Sequence, residues 1–275
     1  MNRLPRCLTS ALLGVLLVAP LAAQTAKTPS TKAPSSRGRV ERPVPFAPGE
    51  VLTYDVAWST FLVAGTATMG VREKRSETGS AAYYVVAEGQ PISLVQRLYS
   101  VYYKADAWLD AYALAPRRSS IYSREGNTEV TKTTTFDHRA GSGRYEVRAS
   151  SPRNESLRLP SGTLDPLSAV YALRAMPLVP GQSFRLSVTE SGELYTVVVK
   201  VGAREQVRSG LGGIAAWRLT LSAVDTKGAP AGSKALALWI SDDGRRLPVR
   251  LQAELPVGTF DLVLRTAEGT LPTGR

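Results

Sequence analysis

From Phe46 onward, apolar and polar residues alternate in runs of five to twelve, and each run is cut short by glycine, proline, asparagine, serine or aspartate. A period of two places successive side chains on opposite faces of an extended chain, which suits a strand with one buried face. Fourteen runs carry the pattern: 51–58, 63–72, 82–87, 99–109, 117–122, 129–137, 143–149, 155–159, 183–189, 195–206, 214–224, 235–241, 248–255 and 259–266. Turns between them, such as Glu77-Thr78-Gly79 and Glu125-Gly126-Asn127, join neighbours antiparallel. The chain is therefore predicted to be mainly β, an antiparallel rolled sheet or an open barrel-like sandwich with one short helix. No unit of roughly 20 to 50 residues recurs, which argues against a propeller or solenoid.

The helix is predicted at about 165–175, where the period changes. Asp165 is an N-cap, Pro166 occupies the first helical position, and Leu167, Val170 and Tyr171 follow at helical spacing until Met176-Pro177 stops the segment. One apolar face is expected, laid across the curved sheet to complete its core.

Residues 1–45 follow neither period. Arg3 and Arg6 precede an apolar stretch from Leu8 to Val18, and Pro20-Leu21-Ala22-Ala23 supplies a small-residue end, so residues 1–23 read as a secretory signal. The stretch is shorter than the roughly 20 residues a bilayer needs, so no transmembrane span is expected in the mature chain. Cys7, the single cysteine, leaves with the signal, which excludes disulfides and thiol chemistry from the exported protein. Residues 24–45 are mostly Thr, Ser, Pro, Lys and Arg, have little to bury, and read as a disordered tether. Residues 46–275 then form a single β-rich domain.

Basic residues number 34 against 23 acidic ones. Loss of Arg3 and Arg6 lowers the excess to nine, and four of those nine charges lie in the tether, where Lys27, Lys32, Arg37, Arg39 and Arg42 face only Glu41. A periplasmic or secreted location is expected, with lipid, lipopolysaccharide or another envelope protein as partner. Nucleic acid is not expected, because no basic run is interleaved with aromatics.

Most familiar chemistries lack their residues. His138 is the sole histidine and sits in the turn Asp137-His138-Arg139, where a solvated side chain is expected; it cannot build a His-rich zinc site or an HExxH motif. No serine stands in a GxSxG elbow. Gly210-Leu211-Gly212-Gly213 fits a loose dinucleotide fingerprint, but strand-forming Trp217, Leu219 and Leu221 follow where a helix is required, so it reads as a turn. Asp242 and Asp243 read as a hairpin tip, and Asp106 and Asp110 as solvated strand-end charges. No catalytic residue, metal site or cofactor is assigned. For a ligand, the candidate binding residues are Trp58, Tyr103, Trp108, Arg174 and Trp239, as amphipathic side chains on a concave sheet.

Three blocks carry a family resemblance: Pro48-Gly49-Glu50-Val51-Leu52-Thr53-Tyr54-Asp55-Val56 with Ala64-Gly65-Thr66-Ala67, then Asp165-Pro166-Leu167-Ser168-Ala169 through Arg174, then Trp239-Ile240-Ser241-Asp242-Asp243-Gly244 through Leu247-Pro248-Val249-Arg250. In that order, across about residues 46–266, the chain resembles domain-of-unknown-function family 3108. The resemblance implies an exported, largely β protein of a bacterial envelope and brings no reaction or catalytic residues with it. The expected function is thus a non-enzymatic envelope protein binding an amphiphile or envelope component in a curved sheet. Two alternatives stand beside it: a carboxylate-dependent glycan-acting enzyme using Asp165, Asp242 or Asp243, and a structural protein-interaction module with an exposed sheet edge.

Overall fold

The computed structural model describes residues 40–58, 62–77, 80–92, 101–255 and 258–272. The expected signal, most of the tether and the turn at 78–79 lie outside them. Within the described residues, which leave out 99 and 100 of the fourth run, every run predicted as a strand is one: β1 (Val51–Trp58), β2 (Leu62–Glu77), β3 (Ser80–Pro91), β4 (Val101–Asp110), β5 (Pro116–Glu125), β6 (Thr128–Asp137), β7 (Ser142–Arg148) and β8 (Arg153–Arg158) precede the helix α1 (Pro166–Arg174). After it come β9 (Ser183–Glu190), β10 (Glu193–Ser209), β11 (Gly212–Asp225), β12 (Pro230–Ser241), β13 (Pro248–Leu255) and β14 (Gly258–Glu268). β2 and β10 run past their predicted ends. Register shifts between Val71 and Glu73, and between Val201 and Arg204, break the alternation while pairing continues beyond them.

The strands form one antiparallel sheet in the order β8-β7-β6-β5-β4-β3-β2-β1-β14-β13-β12-β11-β10-β9. Each strand pairs with its sequence neighbours, β14 pairs with β1, and the sheet stays open between β8 and β9, where the chain leaves to make α1. In that order β4 and β9 stand nine strand spacings apart, about 43 Å in a flat sheet at ~4.8 Å per strand. Yet α1, nine residues and therefore about 14 Å long, touches β3, β4 and β9. The sheet is rolled, and the helix fills the roll.

The helix differs from its expected form in having two buried sides. Leu167 and Tyr171 join a core cluster with Phe46, Leu52, Tyr83 and Leu109, while Ala169, Ala172 and Leu173 join a second with Leu186, Val199, Leu219 and Ile240. A helix buried all round has no polar face to offer water. Its start is as predicted: Asp165 accepts hydrogen bonds from the backbone N–H groups of Leu167 and Ser168.

At the other end of α1, Arg174 is buried against an equally buried Glu50. Its Nη1 lies 2.6 Å from Glu50 Oε1 and its Nη2 2.8 Å from Oε2, a bidentate pair. The Nε donates to the Arg246 carbonyl at 3.0 Å, and Nη2 also faces the carbonyls of Arg245 and Pro45. The rings of Phe46 and Tyr171 lie 5.2 and 5.4 Å from the guanidinium.

Two segments close over the core. The N-terminal one docks earlier than the boundary expected at Phe46: Glu41 pairs with Lys74 at 2.5 Å, Arg42 N–H donates to the Ala111 carbonyl, and Val44 packs on the core. A composition of Arg and Pro hides such docking because backbone and ion-pair contacts hold it. The tip of the β10–β11 hairpin folds back so that Gly210 N–H donates to the Leu264 carbonyl of β14. A Cβ at Gly210 would stand 2.2 Å from the Arg265 carbonyl, so this close approach requires glycine.

Removing one partner of the buried pair strands the other charge. Glu50→Ala is expected to cost about 3–5 kcal/mol in urea unfolding. The double variant Glu50→Leu/Arg174→Met should cost less than the sum of the two single variants, and strict additivity would refute the coupling.

Candidate functional site: an apolar groove inside the roll

Alternation sends odd-numbered residues of β3 and β4 to the inside of the roll, and several of these are small. Ala67 of β2 stands opposite Gly89, Ala87 of β3 lies between Met69 and Ala105, and Ala105 of β4 faces Ile121 of β5. Small side chains on three adjacent strands leave a depression. Leu238, Leu251 and Leu262 of β12, β13 and β14 face it, with Val170 of α1 at one end. The resulting cavity measures about 300 Å³ and is lined almost wholly by apolar atoms. A second apolar cavity of about 280 Å³, bounded by Val56, Pro91, Val101 and Phe260, shares Gly89 and Tyr103 with the first.

Of the five candidate residues, Tyr103 lines this groove. It is 45% exposed, borders both cavities, and donates its hydroxyl to Glu125 Oε1. Trp108, one step out of phase with the small residues of β4, lies on the outer face, stacked on Tyr84 at 4.9 Å with Arg75 above it at 4.7 Å. Trp239 is buried under the folded-back hairpin, donates Nε1–H to Glu205 at 2.8 Å, and has Arg218 and Arg250 against its ring. Arg174 is the fully buried partner of Glu50 and is not among the residues that line either cavity. Trp58 ends β1, and its side chain lies outside those described. Reading aromatics reached the groove only at Tyr103 and missed its floor, whose makers are alanines and a glycine. The available signal was small residues at alternate positions where strands favour large β-branched ones.

The carboxylates are occupied. Burial raises the Asp165 carboxyl above the ordinary range, against hydrogen bonds from the Ser168 hydroxyl and the capped backbone N–H groups. Asp242 is held low by its bond to Arg204 and also accepts Trp217 Nε1–H. Burial pushes Asp243 up, but Arg245 and Ser241 more than reverse this and leave it low. Two expectations need correction. His138 is half-buried and not solvated: one ring nitrogen lies 2.7 Å from the Pro116 carbonyl, the other accepts Gly162 N–H, and the ring stacks on Phe136. Asp110 is a buried tie and not a solvated charge, because Arg117 and the N–H groups of Tyr112 and Ala113 all converge on it. Asp106 is half-buried, and burial raises its carboxyl.

Among the described residues no three His, Cys, Asp or Glu side chains gather as a metal site requires. No helix among them is long and apolar enough to cross a membrane.

The fold and the groove define an open, rolled antiparallel β-sheet protein with an apolar interior cavity. Residues 53–265 match the family described as "Protein of unknown function (DUF3108)", and the chain belongs to that family. No curated protein matches the sequence. Among solved structures it is similar to a β-barrel-like protein of domain of unknown function DUF1849 from Brucella abortus, with a TM-score of 0.49 and 14% identity over 82% of this chain and 98% of that one. A Bacteroides fragilis protein described as exported, with a YmcC-like fold, gives a TM-score of 0.34 and 9% identity over 83% and 100%. A Parabacteroides distasonis protein described as a lipoprotein gives 0.34 and 7% over 82% and 97%.

Asp110 yields a pH test. Burial alone would raise its carboxyl, but Arg117 and the two backbone N–H groups bring it below the ordinary value of 3.8. A carboxyl lowered on folding stabilises the fold above its unfolded value and loses that contribution as pH falls through its folded one. Asp110→Asn should therefore lower the urea midpoint at pH 7, and the gap to the native protein should narrow as pH falls below the unfolded carboxyl value of about 3.9. A gap of constant size from pH 7 to pH 2 would contradict the assignment.

Proposed function

We propose that this chain is an exported, non-enzymatic protein of the cell envelope that holds the apolar part of an amphiphile in the groove between α1 and strands β1–β5 and β12–β14. The observation that carries this reading is the pair of adjoining apolar cavities, about 300 and 280 Å³. Native interiors pack to crystal-like density, so connected apolar space of this size is where a ligand would be buried. Export rests on the sequence of residues 1–23, whose charged start, apolar middle and small-residue end suit a periplasmic or secreted protein.

A glycan-acting carboxylate pair is less well supported. Asp165 caps a helix, while Asp242 and Asp243 hold the turn between β12 and β13 through Arg204, Trp217 and Arg245. A module recruiting partners by strand addition also fits poorly. The free edge β8 carries Arg153, Glu155 and Arg158, charges that discourage pairing, and Leu164 already bonds Ser187 and Thr189 of β9.

The mature protein purified from its native envelope should show a heavier mass under native than under denaturing electrospray, the difference matching an acyl-containing molecule. Ligand-free protein that also fails to take up any amphiphile after delipidation would refute the reading. The basic tether adds a surface term. Deleting residues 24–39 should weaken binding to anionic liposomes at low salt and leave binding at high salt unchanged, as a co-sedimentation assay would show.

A further inference from the structure

Resting on that amphiphile reading, we infer that the groove receives one acyl chain of about 13 carbons, with Gly89 as the passage between its halves. The two cavities lie end to end along the strands. On β2 the inner one is lined by Ala67 to Met69 and the outer by Ala64 to Thr66; on β3 the inner takes Ala87 to Gly89 and the outer Gly89 to Pro91. β14 shows the same displacement, Leu262 against Phe260, and β1 shows it as Tyr54 against Val56. One strand-parallel channel results, with Val170 at its inner end and Val101 and Phe260 at its outer end.

Gly89 is a strand glycine that its neighbours do not require. A Cβ on Gly65 would stand 2.5 Å from the Gln90 carbonyl, and one on Gly70 would stand 2.3 Å from the Glu50 carbonyl, so backbone approach excludes side chains at both. At Gly89 a Cβ would meet nothing within 4 Å, and its φ is not among the positive ones. Glycine inside a strand weakens it and commonly marks a place where something else approaches the backbone. Here the missing side chain leaves open the junction shared by both cavities, opposite Ala67.

The length of the channel sets the length of the chain. From Met69 to Ala64 is five residues, about 17 Å at ~3.4 Å per residue. A saturated chain built on ~1.5 Å carbon–carbon bonds advances about 1.25 Å per carbon, which gives about 13 carbons. Apart from Glu88 and Lys104, the described residues that line the channel carry no charge, which suits a hydrocarbon tail with its polar head left at the outer end.

The test is a titration of delipidated mature protein with saturated fatty acids from eight to eighteen carbons, and with a fourteen-carbon lysophosphatidylglycerol, followed by calorimetry. Affinity should rise about fourfold per methylene up to about 13 carbons and then flatten. Equal affinities of the fourteen-carbon acid and its lysolipid would place the head outside the recognised part; tighter lysolipid binding would identify a lipid headgroup as the natural source of the same chain. Gly89→Leu should keep the native melting temperature and lose the gain beyond about eight carbons, roughly 1,000-fold for the fourteen-carbon acid. Ala67→Leu, across the ladder, should do the same and covers the case in which the first variant misfolds. Affinity still climbing at eighteen carbons, or native-like binding by both folded variants, would overturn the inference while leaving the carrier reading intact. Failure of every acid and of the lysolipid to bind the native protein would overturn both.

Discussion

The pair between Glu50 and Arg174 holds the two ends of the architecture together. Glu50 stands at the entry to β1, Arg174 closes α1, and the same guanidinium gathers carbonyls from Pro45, Arg245 and Arg246. One side chain thus ties the N-terminal segment, the first strand, the helix and the β12–β13 turn at a single buried point. Burying two charges is costly, and such a pair adds little net stability compared with apolar packing. Its physical contribution is geometric: a bidentate fork has one acceptable arrangement, and that arrangement fixes where the helix sits in the roll.

The position of the helix decides the rest of the interior. The order of strands alone would allow a rolled sheet that stays empty or collapses on itself. With α1 anchored, Leu167 and Tyr171 fill one side and Ala169, Ala172 and Leu173 the other, so packing near the helix is close and the core divides into two clusters. Farther along the strands the helix no longer reaches, and Ala67, Ala87, Gly89 and Ala105 are too small to meet the leucines opposite. Space remains there because those residues leave it. A protein needing only stability gains by filling such space with larger side chains, each buried methylene contributing on the order of 0.8 kcal/mol.

Much of the fold was legible in the sequence. The fourteen strands follow from a period of two, and α1 from the Asp165-Pro166 start and the Pro177 stop, because both are local patterns. The errors arose where contacts are distant in sequence. Glu41 to Pro45 look like a tether until Lys74 and Arg174 are brought to them, and His138 looks solvated until Pro116 and Gly162 close on its ring. The groove was hidden for a related reason. Trp108 and Tyr103 sit on one strand with similar surroundings in sequence, and only their phase relative to the roll puts one outside and the other in the channel.

By itself the sequence determined the element list, the antiparallel pairing of successive strands, and a family resemblance carried by blocks that contain Glu50 and Arg174. The tertiary structure decided that those two residues are partners across 124 positions, that β14 returns to β1, and that the roll stays open beside the helix. It also decided that four small residues on three strands face the same empty space. Periodicity reports the two faces of each strand, because side-chain direction is a local property. Which faces meet depends on strand order and on the sense of the roll, and those are set by contacts that no window of sequence contains.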